Sequence, residues 1–160
     1  MEDNANDYRS PAASDIHELA VLGSVFDIVA SCYCRGSHDI RSGISVSDFA
    51  RELSRRTQID WRINRELLRQ ALNALNDRRL DCILSTCVVS PARMPTANFF
   101  KIAVARGLIS KGAGAYERIG CWRKQYKLAR KVCRELKKNS ETAGTPRQNS
   151  GSENCAHLSA

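Results

Sequence analysis

Residues 44–79 (ISVSDFARELSRRTQIDWRINRELLRQALNALNDRR) place apolar side chains every three or four positions, in two blocks parted by a short polar interruption. That period belongs to the α-helix, so the segment is predicted to fold as two amphipathic helices joined by a turn, each with one face to bury. In the second block Leu68, Ala71, Leu72 and Leu75 form the apolar face. On the opposite side Arg62, Arg65, Arg69, Asn73 and Asn76 step by three, four, four and three, and so share one stripe. Arginine can contact phosphates or the N7/O6 edge of guanine, and asparagine can pair with adenine N6/N7. A helix with a leucine face inside and an Arg/Asn face outside has the form of a major-groove reader, without indicating which sequence it reads.

The chain of 160 residues has room for one domain with tails. Its formal net charge of +8 favours a polyanionic partner or serves solubility. The first 22 residues lack a basic-then-apolar leader pattern, and the most apolar run, Val21 to Ala30, is short and interrupted by Asp27. Neither export nor membrane insertion is expected, which leaves a cytoplasmic location. Seven cysteines, odd in number and without a recognisable framework, read mostly as small buried hydrophobes in the reduced state.

Residues 1–13 have no period and are expected to be disordered. Asp15 and Glu18 stand in capping-box spacing before Leu19, Leu22, Phe26, Val29 and Tyr33, which predicts a helix over about 15–34. A loop, GSHDIRSG, follows, and Ile44–Val46 reads either as a short strand or as the lead-in to a second helix. That helix is expected from Ser47, as its N-cap, to Arg56, with Val46, Phe49, Ala50 and Leu53 inward. The turn is TQI, and Asp60 is placed to cap a third helix running to about Arg79. Leu80–Val89 is short, apolar and β-branched, the pattern of a buried strand, and no Gly/Asn hairpin turn follows it. Thr96 is placed to cap a fourth helix through Arg106, with Gly107 as its left-handed C-cap. A last helix is expected over 116–138, before a polar tail at 139–160.

The SVSDFAREL and ELLRQALNAL segments resemble the helix-turn-helix core of bacterial winged-helix regulators. The resemblance implies that Ala50 lets the two helices approach closely and that Leu68, Leu72 and Leu75 anchor the recognition helix. It also implies that Arg62, Arg65, Arg69 and Asn73 face DNA while Arg55 and Arg56 contact its backbone.

The last helix has an apolar seam at Ile119, Trp122, Tyr126, Ala129, Cys133 and Leu136. Outside the seam it carries Arg118, Arg123, Lys124, Lys127, Arg130, Lys131, Arg134, Lys137 and Lys138 against only Glu117 and Glu135. Three uses are open: packing on its own domain, pairing with a second chain in a two-fold dimer, or lying along phosphates or an acidic partner. Zinc binding is disfavoured, because Cys32 and Cys34 of the Cys32/Cys34/His38 set would point roughly 200° apart on a continuous helix. Among the thiols, Cys121 between basic residues is the expected redox candidate and Cys133 on the seam the inert one. SKGAGA is not a phosphate-binding loop, and the three histidines lie apart without a nucleophile or carboxylate nearby in sequence, so no enzymatic activity is expected.

These readings converge on a mainly α chain, a helix-turn-helix or winged-helix-like domain over 14–138 with an additional C-terminal basic helix. The expected function is sequence-specific binding of double-stranded DNA, as in a small transcriptional regulator. Arg55, Arg56, Arg62, Arg65, Arg69, Asn73, Asn76, Lys124, Lys127, Arg130 and Lys131 are the expected contacts, with no metal or cofactor and with a homodimer through helix 116–138 as an option. The competing expectation is a helical adaptor that docks on a protein or acidic surface through its basic C-terminal helix. RNA is a third option.

Overall fold

A computed structural model describes residues 8–35 and 39–143. In chain order they form α1 (Leu19–Cys34), β1 (Ile44–Ser45), α2 (Val46–Thr57), α3 (Arg65–Asp77), β2 (Val88–Val89), α4 (Ala97–Ala105) and α5 (Ala115–Ala143), with short 3-10 helices at Ala13–His17, Ile40–Ser42 and Leu84–Cys87. The architecture is mainly helical. α1 is its axis, packed against α2, α3 and α5. Val25, Val29 and Tyr33 of α1 are fully buried and meet Phe49 and Leu53 of α2, Leu68 and Ala71 of α3, and Ala129 and Cys133 of α5 in one core. A smaller cluster, Ile83, Val89, Phe99, Ala103 and Trp122, lies beneath α4.

Both amphipathic helices expected over 44–79 form, but their joints differ from the sequence expectation. α2 is capped by Ser45, whose Oγ accepts the Asp48 N–H at 3.1 Å, and not by Ser47. The start moves back because Ile44–Ser45 is itself a strand that runs directly into the helix. α3 begins at Arg65, capped by Asn64, whose Oδ1 accepts the Leu67 N–H at 3.0 Å. It spans 65–77 rather than 60–79. Asp60 instead ties back to Arg62, accepting from its backbone N–H and its guanidinium. The connection stays non-helical because Trp61 is driven into the core, where its N–H reaches Ser54 Oγ and its indole N–H reaches Thr57 Oγ1, each at 3.0 Å. Burying a large apolar side chain contributes roughly 1.5–3 kcal/mol, and every polar atom of this indole remains bonded.

Of the expected strand Leu80–Val89, Cys82–Val89 is buried while Leu80 and Asp81 are exposed, and it is not one long strand. Side chains, rather than a ladder, satisfy its backbone. Tyr33 donates to the Leu84 carbonyl at 2.7 Å and accepts the Cys87 N–H at 3.1 Å. Trp122 donates to the Thr86 carbonyl, and Gln125 Oε1 accepts the Ile83 N–H, each at 3.0 Å. Only Val88 and Val89 of the segment form a strand, which pairs in parallel with Ile44 and Ser45. Gly43 permits this approach, since a Cβ there would lie 2.1 Å from the Cys87 carbonyl oxygen.

The N-terminal region departs from the expected disorder over the residues described. Arg9 pairs with Ile59 across the α2–α3 turn and forms a two-pronged ion pair with the buried Asp15. Asp15 also accepts the Ala12 N–H at 2.7 Å, so it caps nothing for α1, which starts later, at Leu19. Residues 1–7 lie outside the described residues, as do 144–160 of the expected tail; residues 139–143 continue α5 as helix. α4 follows expectation, with Thr96 Oγ1 accepting the Phe99 N–H and Gly107 at φ +68°.

The seam of α5 is filled by its own chain. Trp122, Tyr126, Ala129 and Cys133 are buried against α1 and the 84–87 turn, and only the far end, Leu136, is exposed. The surface that the sequence offered for a two-fold dimer is thereby covered along most of its length. No helix among the described residues is long and apolar enough to cross a membrane.

Candidate nucleic-acid interface

The start of α2, the outer face of α3 and the segment 90–98 enclose three adjoining hollows of about 510, 240 and 120 Å³. All three share Val46 and Arg65. Arg65, in the first turn of α3, is exposed and makes no ion pair among the described residues; its nearest polar contact is Ser47 Oγ at 3.5 Å. Arg62 and Arg51 line one side, Arg69 the middle, and Arg93 the far side.

Three of these flanking arginines hold nearby carboxylates: Arg51 with Asp48, Arg62 with Asp60, and Arg69 with Glu66. Hydrogen bonds from Arg69 and then Gln70 hold the Glu66 carboxyl down at about 2. Exposed pairs of this kind are worth roughly 0–1 kcal/mol, so an incoming phosphate can displace them at small cost. The groove thus gathers five guanidiniums against three carboxylates.

Arg93 carries the geometry of the far wall. The chain leaves β2, turns at 90–94 with the Ser90 N–H on the Met94 carbonyl at 2.8 Å, and returns so that Val89 bridges Pro95 antiparallel. Arg93 sits at φ +59°, a left-handed conformation that costs a non-glycine residue about 1 kcal/mol. Its guanidinium donates to the Gly43 carbonyl at 2.8 Å and ties the loop to the start of β1. The sequence marks a loop at Pro91 and Pro95 and an outward Arg51 on the second helix, but neither was expected at the interface. The Pro91/Pro95 bracket was the available sign of a loop, but nothing in it marks a left-handed arginine.

The remaining expected contacts divide. Asn73 is half-buried, with Oδ1 accepting from Asn98 of α4 at 2.9 Å, at the edge of the groove. Asn76 does not face outward: it is 1% exposed, and its amide bonds Ser85 at both ends, Nδ2 to Oγ at 2.9 Å and Oδ1 to the N–H at 3.0 Å. By α3's last turn the chain beyond it has folded back and covered the stripe. Arg55 and Arg56 both bind Glu52, holding its carboxyl down at about 2, and line a separate hollow between α1 and α2. Lys124, Lys127 and Lys131 are exposed on α5 and Arg130 is half-buried. The 83–88 segment parts α5 from the groove: Ile83 and Thr86 bond α5, while Ser85 and Val88 line the hollow.

Cys121 also differs from expectation, since burial pushes its thiol up despite the neighbouring Lys124. Cys32 and Cys34 lie on one continuous helix and His38 falls outside the described residues. No group of three or more metal-ligating side chains converges among the described residues. No family model, curated protein or solved structure matches this chain.

Proposed function

We propose that the chain binds double-stranded DNA through the Arg65 groove, as a winged-helix-like module of a small regulator. The observation that carries this reading is Arg65 itself: an exposed, ion-pair-free guanidinium at the start of α3, at the meeting point of three hollows and flanked by four more arginines. The first three turns of α3, bearing Arg65, Arg69 and Asn73, enter the major groove. Ser47 and Arg51 at the head of α2 meet one phosphate strand. The loop 90–94, returning beside β1, takes the place of a wing, with Arg93 toward the backbone. The element order, β1 leading into α2, α3 after a buried turn and then a returning loop, supports this reading. Asn76 is absent from it.

Fluorescence anisotropy on mixed-sequence duplex DNA across a salt series tests the reading. Each neutralised phosphate steepens the fall of log K with log salt by about 0.9, so Arg65→Ala is expected to weaken binding and flatten the slope by about one phosphate.

A second reading rests on α5, whose exposed Arg123, Lys124, Lys127, Lys131, Arg134, Lys137 and Lys138 make no ion pair among the described residues. On that reading α5 docks the chain on an acidic partner. Charge reversal at Lys124, Lys127 and Lys131 would then abolish the interaction, while Arg65→Ala would leave it intact.

A further inference from the structure

The hollow between α1 and α2, about 450 Å³, is lined by Cys32 of α1, Arg35 just past it, Ile44 of β1, and Arg51, Arg55 and Arg56 of α2 with their partners Asp48 and Glu52. Cys32 is half-buried in its wall, and the buried thiol of Cys87 belongs to the neighbouring 84–87 turn. Independent contacts fix that placement. Cys87 Sγ lies 3.9 Å from the Val29 carbonyl oxygen, and Val29 is one turn before Cys32 on the same face of α1. The Cys87 carbonyl abuts Gly43, and the next residue, Val88, pairs with Ile44, which lines the hollow beside Cys32. Each thiol thus lies in the other's immediate surroundings. One thiol therefore borders an arginine-lined cavity, and its neighbour is fully buried.

We propose that Cys32 and Cys87 are an oxidisable dithiol, in which a hydroperoxide entering the arginine-lined hollow oxidises Cys32 and Cys87 closes the pair into an intramolecular disulfide. With hydrogen peroxide, the Cys32 sulfur attacks one oxygen, the O–O bond breaks, and the departing hydroxide takes up a proton as water, leaving a sulfenic acid. The Cys87 sulfur then attacks the Cys32 sulfur. The S–O bond breaks and the hydroxyl leaves as water with the Cys87 proton. Two thiols lose two electrons to one peroxide, and two waters form.

The division of labour follows the surroundings. The Cys87 thiol, the Arg35 guanidinium and the Ile44 N–H lower the Cys32 thiol and favour its thiolate, the attacking form. Burial pushes Cys87 well up, so it keeps its proton until the sulfenic acid forms. Cys82 and Cys133 are pushed up to about 11 and about 12, chiefly by burial. The disulfide would tie α1 to the turn that leads into β2 and the 90–94 loop.

The reduced full-length chain is treated with one equivalent of hydrogen peroxide, blocked with iodoacetamide and digested without reductant. The expected result is loss of two free thiols and one linked peptide pair, Cys32 with Cys87, absent from Cys32→Ser. In Cys87→Ala, dimedone should instead trap a sulfenic acid on Cys32. Because Cys87 is buried and that variant can misfold, the wild-type digest decides alone. A wild-type protein in which Cys32 stays as alkylatable as in the untreated chain, or in which Cys32 links to another cysteine, overturns the proposal. The assay contains no DNA, so its outcome is independent of the DNA-binding reading.

Discussion

Replacing Asn76 by alanine separates a structural role from a DNA-reading one. The side chain is buried and spends its amide on Ser85, accepting the Ser85 N–H and donating to its hydroxyl. Ser85 is itself buried. Alanine leaves the Ser85 N–H without an acceptor, a loss of roughly 1–3 kcal/mol, and the vacated space adds to it, for a total of about 3 kcal/mol. Single domains have stabilities of about 5–15 kcal/mol, so the change removes a large share. Urea denaturation followed by tryptophan fluorescence suits the measurement, because Trp61 and Trp122 are both buried. The midpoint should drop while the folded fraction retains its affinity for duplex DNA. Asn76→Asp refines the test: Oδ1 can still accept the Ser85 N–H, but a carboxylate is buried. Its folded-state pKa would be raised above the unfolded one, so it destabilises most at neutral pH and recovers as the pH falls and the group protonates. An Asn76→Ala variant as stable as wild type, but defective in DNA binding, would refute the placement.

Three further substitutions test the frame. Gly43→Ala drives a Cβ into the Cys87 carbonyl and should cost about 2 kcal/mol or more through loss of the β1–β2 pairing, read as a lowered thermal midpoint. Arg106 donates to the carbonyls of Asn76, Arg79 and Cys82, closing the C-terminal end of α3. Arg106→Ala should cost about 2 kcal/mol in urea, and lysine, a single point donor, should recover only part of it. Glu52, held down at about 2 by Arg55 and Arg56 against an ordinary 4.5, stabilises the fold fully above pH 4.5, and that support is lost as the pH falls from there toward 2. After solvent screening the contribution is about 1 kcal/mol, and Glu52→Gln should flatten that part of an acid-denaturation profile.

The helices were legible because their apolar periods are unbroken: the Leu68/Ala71/Leu72/Leu75 face and the Phe49/Ala50/Leu53 face are both buried. The joints were less legible. Asp60 and Ser47 are as good local caps as Asn64 and Ser45, and what decides between them is the burial of Trp61 and the pairing of Ile44–Ser45, both set by distant residues. The 82–89 segment showed its burial through composition. Its backbone is bonded by Tyr33, Asn76, Trp122 and Gln125 from three other helices, which no local pattern reveals. Helical periodicity placed Asn76 on the Arg/Asn stripe correctly by angle, but a helical wheel cannot show that Ser85 folds over its last turn. The α5 seam gave the complementary ambiguity: its spacing suits a partner helix or an internal core equally, and α1 fills it.

The most direct test of the central proposal is a matched pair of variants in one anisotropy titration on duplex DNA at low and moderate salt. One variant is Arg62→Ala/Arg65→Ala/Arg69→Ala in the groove, and the other is Lys124→Ala/Lys127→Ala/Lys131→Ala on α5. Each removes three exposed or half-exposed cations, so net charge changes equally and only location differs. If the groove holds the duplex, the arginine variant loses affinity and salt slope by far the more. Equal losses would reduce the interaction to bulk charge, and loss confined to the lysine variant would move the interface to α5 and contradict the Arg65 assignment.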